Sequence, residues 1–155
     1  MEPIIEIVDY KPEHAQAFKD LNIAWIAADH EVEEDDIRML SDPQKSLLDD
    51  GGVIIIALCD GRPVGTCALR KPAHGPYEMT KMTVASDMRG RNIGRLLGEA
   101  IVQKARDLHL PLIELYSSRK SSAAAINMYY TMGFTEIPLD TFVYKRADIK
   151  MRLVL

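Results

Sequence analysis

The run Arg89-Gly90-Arg91-Asn92-Ile93-Gly94 gathers polar main chain and positive charge at one point. The β-rich stretch Met82-Thr83-Val84 leads towards it, and an amphipathic helical pattern follows at once. Such a strand-to-helix turn brings together backbone N–H groups, the positive end of a helix dipole and arginine side chains. That combination holds a pyrophosphate. The expected chemistry is the grip of a phosphate-bearing cofactor by residues Arg89, Gly90, Arg91, Asn92, Ile93, Gly94 and Arg95. The bland alternative is an ordinary glycine-containing helix entry.

The surrounding pattern supplies elements to carry that turn. Ile4–Val8 reads as a first strand, rich in β-branched residues. Lys11-Pro12-Glu13 opens a helix with Phe18, Leu21 and Trp25 on one face. A shorter helix is expected within Glu33–Leu40. Another is expected from Asp42-Pro43 to about Asp50, stopped by Gly51-Gly52. Val53–Cys59 is apolar almost throughout, so both of its faces should be covered. Asp60-Gly61 turns it back into Val64–Leu69, and Glu78–Val84 is the next strand. The helix after Gly94 carries Leu96, Leu97, Ala100, Ile101, Ala105 and Leu108 on its expected core stripe. Leu112–Tyr116 is a strand. Ser121 or Ser122 caps a last helix that ends at Gly133. Phe134 opens further strands, with Phe142–Tyr144 and Ile149–Leu155 completing the sheet. Hairpins alternate with crossovers, which predicts an α/β fold with a mixed sheet.

The chain has 155 residues, 47% of them hydrophobic and 27% charged. That length predicts a single domain over residues 1–155, burying roughly 70% of the surface its unfolded chain exposes. Nineteen basic against twenty-three acidic residues give a net charge of −4, which disfavours a nucleic-acid partner. No apolar run approaches the ~18 residues of a spanning helix, and no signal peptide is evident. If residues 60–63 form the turn, Cys67 lies opposite Ile56 and Cys59 opposite Val64. The two thiols are then out of register for a disulfide, as suits a cytoplasmic protein. His14, His30, His74 and His109 lack ligand spacing, so no metal site is expected.

Taken together, these residues resemble the GNAT superfamily of acetyl-coenzyme-A-dependent N-acetyltransferases. Its main motif is commonly Arg/Gln-x-x-Gly-x-Gly/Ala. Here Asn92 replaces the first motif glycine, and asparagine enters left-handed conformations readily. Tyr77-Glu-Met-Thr-Lys-Met-Thr-Val84 is similar to the family's glutamate-bearing central strand. Ala125-Ile-Asn-Met-Tyr129-Tyr-Thr-Met-Gly133-Phe134 is similar to its last motif. The family often has asparagine three residues before that alanine; this chain has Ser122. The resemblance covers roughly residues 3–136. It implies a GNAT-like mixed central sheet with helices on both faces, and acetyl-coenzyme A as co-substrate.

The resemblance also assigns roles. Glu78 would lie beside the acceptor and take a proton from an amine, directly or through water; a structural ion pair with Lys81 is the alternative. Tyr129 would face the cofactor sulfur and donate to the leaving thiolate, the alternative being core packing. Tyr130 is its rival, about 100° away around the helix. Main-chain groups of Met82, Thr83 and Val84 would pair with the pantetheine arm, and the Met82 N–H would polarise the thioester carbonyl. Asn127 either bonds the pantetheine arm or is a surface residue. Trp25 either walls the acceptor pocket or packs in the core. Arg146 either clamps a substrate carboxylate with its planar fork or decorates a solvent face. His74 is a candidate second base, while His109 complements a helix dipole.

The implied activity is direct acetyl transfer, within a ternary complex, to a primary amine of a small molecule, amino-acid-like if Arg146 is a clamp. No cysteine lies in the cofactor motifs, which weakens a covalent route. Two other readings remain: an acetyltransferase acting on protein N-termini or lysines, and a non-catalytic acyl-coenzyme-A sensor. C-terminal strands pairing across subunits would give a homodimer.

Overall fold

A computed structural model describes residues 2–139 and 146–155. Strand β1 (Ile5–Asp9) leads through a 3-10 turn (Pro12–His14) into α1 (Ala15–Asp29) and α2 (Glu34–Ser41). A wide π-type turn (Gln44–Leu48) precedes β2 (Val53–Cys59), β3 (Arg62–Arg70) and β4 (Tyr77–Val84). Then come α3 (Ile93–Asp107), β5 (Leu112–Ser117), α4 (Ala123–Thr131), β6 (Thr135–Ile137) and β7 (Ile149–Val154). Phe142–Tyr144, which the sequence assigned to the sheet, lie outside the described residues.

The seven strands form one mixed sheet in the order β1-β2-β3-β4-β5-β7-β6. Neighbours are antiparallel except β4 and β5, which are parallel. Alternation along β2 and β3 divides the core. Ile54, Ile56 and Ala68 pack with Phe18, Ile26, Leu40 and Leu47 on the α1–α2 face. Ile55, Ala57, Cys67 and Leu69 pack with Leu97, Ile101, Ala105, Ile126 and Tyr129 on the α3–α4 face. Both faces of β2 are therefore covered, which is why its sequence is apolar throughout. β7 lies between β5 and β6, so among the described C-terminal strands β6 is the one at the sheet edge.

Two local expectations change. The β2–β3 turn is tighter than residues 60–63. Asp60 and Gly61 both have positive φ (49° and 85°), the requirement of a two-residue type I′ turn. Cys59 then pairs with Arg62, and an irregularity between Ala57 and Leu58 sets Cys67 against Ile55. Both cysteines are free thiols. On α3 the buried stripe is Ile93, Leu97, Gly98, Ile101, Val102 and Ala105. Leu96 and Leu108 are 38% and 44% exposed, because the helix starts at Ile93 and turns its apolar stripe past them.

Two irregularities of β4 open the fold for chemistry. Its pairing with β5 covers only Tyr77, Glu78 and Met79, opposite Ile113, Glu114 and Leu115. Beyond Met79 the two strands are no longer paired, and β4 continues to Val84. On its other side the register with β3 jumps between Ala68↔Thr80 and Thr66↔Thr83. Lys81 and Met82 form the resulting bulge, with Lys81 at φ 57°. A bulge re-aims main chain and side chains. Here it sits where parallel strands separate at their carboxyl ends, the usual position of a ligand crevice in such sheets.

Candidate active site

That separation is the floor of a cleft of about 650 Å³. α1 and β4 line one side; the 88–95 turn and α4 line the other.

The 88–95 turn has the predicted form. Gly90 and Asn92 both adopt positive φ, 79° and 66°. Asn92 is the N-cap of α3, and its side chain makes no capping bond. Leu96 N–H bonds the Asn92 carbonyl, so helical bonding begins there. The backbone N–H groups from Asn92 to Arg95 meet no acceptor among the described residues. Four successive donors at a helix N-terminus are thus available to a ligand, and unsatisfied donors of this kind bind phosphate. Arg89 lines the cleft, whereas Arg91 points away from it, exposed. Neither pairs with a carboxylate among the described residues. Arg95 also lines the cleft but is engaged with Glu99 (2.8 Å) and the Thr131 hydroxyl (2.8 Å). The turn and the bulged main chain at Lys81–Met82 together fit a long phosphate-bearing cofactor such as acetyl-coenzyme A.

Glu78 and Tyr129 both reach the cleft, from opposite faces of the sheet. Glu78 is 6% exposed and shares the α1–α2 face with Arg70, its register partner, whose Nη1 lies 3.4 Å from Oε1. Lys81 interacts with the same carboxylate: burial lowers the Lys81 pKa, while Glu78 and Asp36 oppose that shift. Glu78 is therefore both cleft-lining and ion-paired, so the two sequence readings of it are compatible.

Tyr129 is 5% exposed, its ring 5.6 Å from that of Phe134. Its hydroxyl has no hydrogen-bond partner among the described residues, yet no sealed side-chain polar atom is left unsatisfied. The hydroxyl must therefore open to the cleft. Burial pushes its pKa well above the ordinary phenol value, with Cys67 adding to the shift. It stays protonated across the neutral range and can donate. Tyr130 is exposed and lies outside the cleft, which removes the rival.

The remaining residues divide similarly. Met82, Thr83, Val84, Ile93 and Gly94 line the cleft, as do Trp25 and Arg146. Asn127 is exposed and does not line it; His74 and His109 are also exposed and outside it. Arg146 bonds Asp36 on α2 through both terminal nitrogens, at 2.8 and 3.3 Å, and ties the chain before β7 to α2. A second tie crosses from α1 to the α4 entrance, where His30 Nε2 meets Ser121 Oγ at 3.1 Å.

Sequence reasoning missed Asp36 and the His30–Ser121 tie, and it named Lys81 only as an ion-pair partner of Glu78. It also passed over Asn22, although a polar residue between Phe18 and Ile26 at helical spacing was a visible signal.

The Asp36 carboxyl is held below its ordinary pKa. Burial alone would raise it, but hydrogen bonds from Arg146 and the Glu33 amide, with the Arg146 and Lys81 charges, reverse the sign. A folded pKa below the unfolded one stabilises at pH above the unfolded value, about 4. That stabilisation is lost as pH falls through the folded value. Asp36→Asn should therefore be less stable than the parent above about pH 4. The difference should shrink in more acidic buffer, as read by urea unfolding at several pH values.

Comparisons with known proteins bear on the family and the fold. Residues 15–134 match the acetyltransferase (GNAT) family. A mycothiol acetyltransferase from Sanguibacter keddieii is 29% identical over 105 residues, which are 64% of this chain and 33% of that protein. The chain thus matches about a third of that relative's length. The fold is similar to the crystal structure of a GNAT-family acetyltransferase from Staphylococcus aureus Mu50. Its TM-score is 0.84 at 19% identity, covering 96% of this chain and 98% of that one. It is also similar to PaiA N-acetyltransferase from Thermoplasma acidophilum in complex with coenzyme A. There the TM-score is 0.74 at 18% identity, covering 98% and 99%.

Proposed function

The chain belongs to the acetyltransferase (GNAT) family, and from that premise we propose that it moves an acetyl group from acetyl-coenzyme A to the primary amine of a small molecule, directly and without an acyl-enzyme. The observation that carries the proposal is the placement of Glu78 and Tyr129 on opposite faces of the sheet, both lining one cleft.

The residues divide the work. The amides of Arg89–Arg95, with Arg89, would hold the pyrophosphate, and the main chain at Lys81–Met82 would hold the pantetheine arm. Bound there, the co-substrate supplies an activated thioester. Glu78, on the α1–α2 face, takes one proton from the ammonium and frees the nitrogen lone pair. The Met82 N–H, turned by the bulge, stabilises charge developing on the carbonyl oxygen. The new C–N bond forms as the C–S bond breaks. Tyr129 gives its proton to the departing sulfur, and the second proton lost from nitrogen restores the phenol through solvent. One proton is released overall. Juxtaposing amine and thioester contributes up to ~7–11 kcal/mol of barrier reduction in favourable cases.

The ties Arg146–Asp36 and His30–Ser121 cross the acceptor side and support a small acceptor over a folded protein. Arg146 lines the cleft while bonded to Asp36, and a guanidinium at that position suits an amino-acid-like acceptor. No helix among the described residues is long and apolar enough to cross a membrane. Two unpaired thiols agree with a reducing, cytoplasmic setting.

The test is thiol release from acetyl-coenzyme A in the presence of a panel of alkylamines, arylalkylamines, polyamines, amino acids and N-terminal or lysine peptides. Turnover on small amines supports the proposal. Turnover on peptides alone redirects it to protein acceptors, and cofactor binding without any turnover marks a sensor. Tyr129→Phe should lower kcat by about 10²-fold, the lower end for a positioned proton donor. Acetyl-coenzyme A affinity should be unchanged by isothermal titration calorimetry.

A further inference from the structure

Asn22 is 96% buried in the middle of α1 and yet lines the cleft. Its amide nitrogen donates to the Phe18 carbonyl at 2.8 Å and to Thr66 Oγ1 at 3.2 Å. The Thr66 hydroxyl in turn donates to the Lys81 carbonyl at 2.6 Å. Its proton is therefore engaged, and towards Asn22 the oxygen can only accept. Phe18 O is likewise an acceptor only. Both contacts require –NH₂, so the amide cannot be flipped. The Asn22 Oδ1 is fixed in the opposite direction. It has no partner among the described residues, and no sealed side-chain oxygen is left unsatisfied. It must therefore be reached from the cleft.

An acceptor atom held this rigidly, on the same sheet face as Glu78, demands a donor from the ligand. We propose that Asn22 Oδ1 binds an N–H of the acceptor amine, beside Glu78. The proposal rests on the amine-acetylation reading above. A carboxamide oxygen suits this position because it accepts an N–H from the ammonium and keeps one after Glu78 has removed a proton. It does not compete for that proton, and the lone pair stays free to attack. The same side chain, through Thr66, fixes the Lys81 carbonyl. A tertiary ammonium loses its only N–H to Glu78 and has none left for Oδ1, so it should be a poor ligand and no substrate.

Two measurements test this. With ¹⁵N-labelled protein and coenzyme A present, n-butylamine, phenethylamine and spermidine are titrated in turn. The Asn22 side-chain NH₂ resonances, assigned by their loss in Asn22→Asp, are followed. A saturable shift with at least one amine, absent with N,N-dimethylbutylamine, is expected. No shift with any of them overturns the proposal, whatever the turnover. For the amine of best turnover, Asn22→Leu should raise its KM about tenfold or more, as loss of a buried hydrogen bond predicts. The KM for acetyl-coenzyme A should stay within about twofold, since the variant leaves the cofactor turn intact. Equal KM values for the amine, or parallel losses for both substrates, would contradict a substrate contact. An NMR shift without turnover on any amine would retain Asn22 as an amine ligand and remove the acetyl-transfer reading instead.

Discussion

Replacing Glu78 by glutamine is expected to lower kcat by about 10²–10⁴-fold, the range for loss of a positioned general base. The amide keeps the size and one acceptor oxygen, so the contact with Arg70 is weakened rather than emptied. The fold should persist, because β4 is held through its ladders to β3 and β5 rather than by this side chain. Acetyl-coenzyme A affinity should also persist, since the 88–95 turn lies at the other end of the cleft. Steady-state kinetics on the best amine, with calorimetry for the cofactor, separates these effects. A loss below threefold would leave Glu78 as one half of an ion pair with Arg70 and Lys81. In that event the base would have to be sought elsewhere in the cleft.

Gly94→Glu should instead weaken cofactor binding strongly while leaving the fold at least as stable. A Cβ at Gly94 would stand 3.9 Å from Met128 Sδ and 4.0 Å from Val84 Cγ2, ordinary contact distances. The backbone there is helical, so the position accepts a side chain. A carboxylate in the first turn of α3 interacts favourably with the helix dipole, contributing about 0.3–1 kcal/mol. Replacing glycine within a helix adds about 0.5–1 kcal/mol. The melting temperature should therefore hold or rise. The same carboxylate would occupy the amides of Arg89–Arg95 and repel a diphosphate. Like charges in contact cost several kcal/mol, so acetyl-coenzyme A should bind about 10²-fold more weakly or worse. Unchanged affinity in a folded variant would mean that the turn does not hold the phosphates.

The shape of the 88–95 turn was legible in the sequence because it is made by main chain whose conformation local residues dictate. Gly90 and Asn92 take the left-handed conformations their types allow, and Ile93 starts the helix where the apolar period begins. The mixed sheet was legible for a similar reason. Asp60-Gly61 forces a hairpin, and the fully apolar β2 demands cover on both faces. The acceptor half depends on contacts between residues far apart in the chain. The Asn22–Thr66 bond spans 44 positions, His30–Ser121 spans 91 and Arg146–Asp36 spans 110. No local period encodes such pairs. The bulge at Lys81–Met82 is equally hidden, because it places a lysine at φ 57° where neither glycine nor asparagine marks the site. The error on α3 was one of phase: Leu96 and Leu108 are apolar, but they lie off the stripe that packing selects.

The central claim is that a diphosphate rests on the amides where β4 gives way to α3, with its thioester end lying between Glu78 and Tyr129. A crystal structure with coenzyme A bound tests it most directly. The account predicts pyrophosphate oxygens within hydrogen-bonding distance of several N–H groups from Arg89 to Arg95. It also predicts the pantetheine arm beside Lys81–Met82 and the sulfur next to the Tyr129 hydroxyl. A nucleotide lodged elsewhere, with those amides facing solvent, would contradict it.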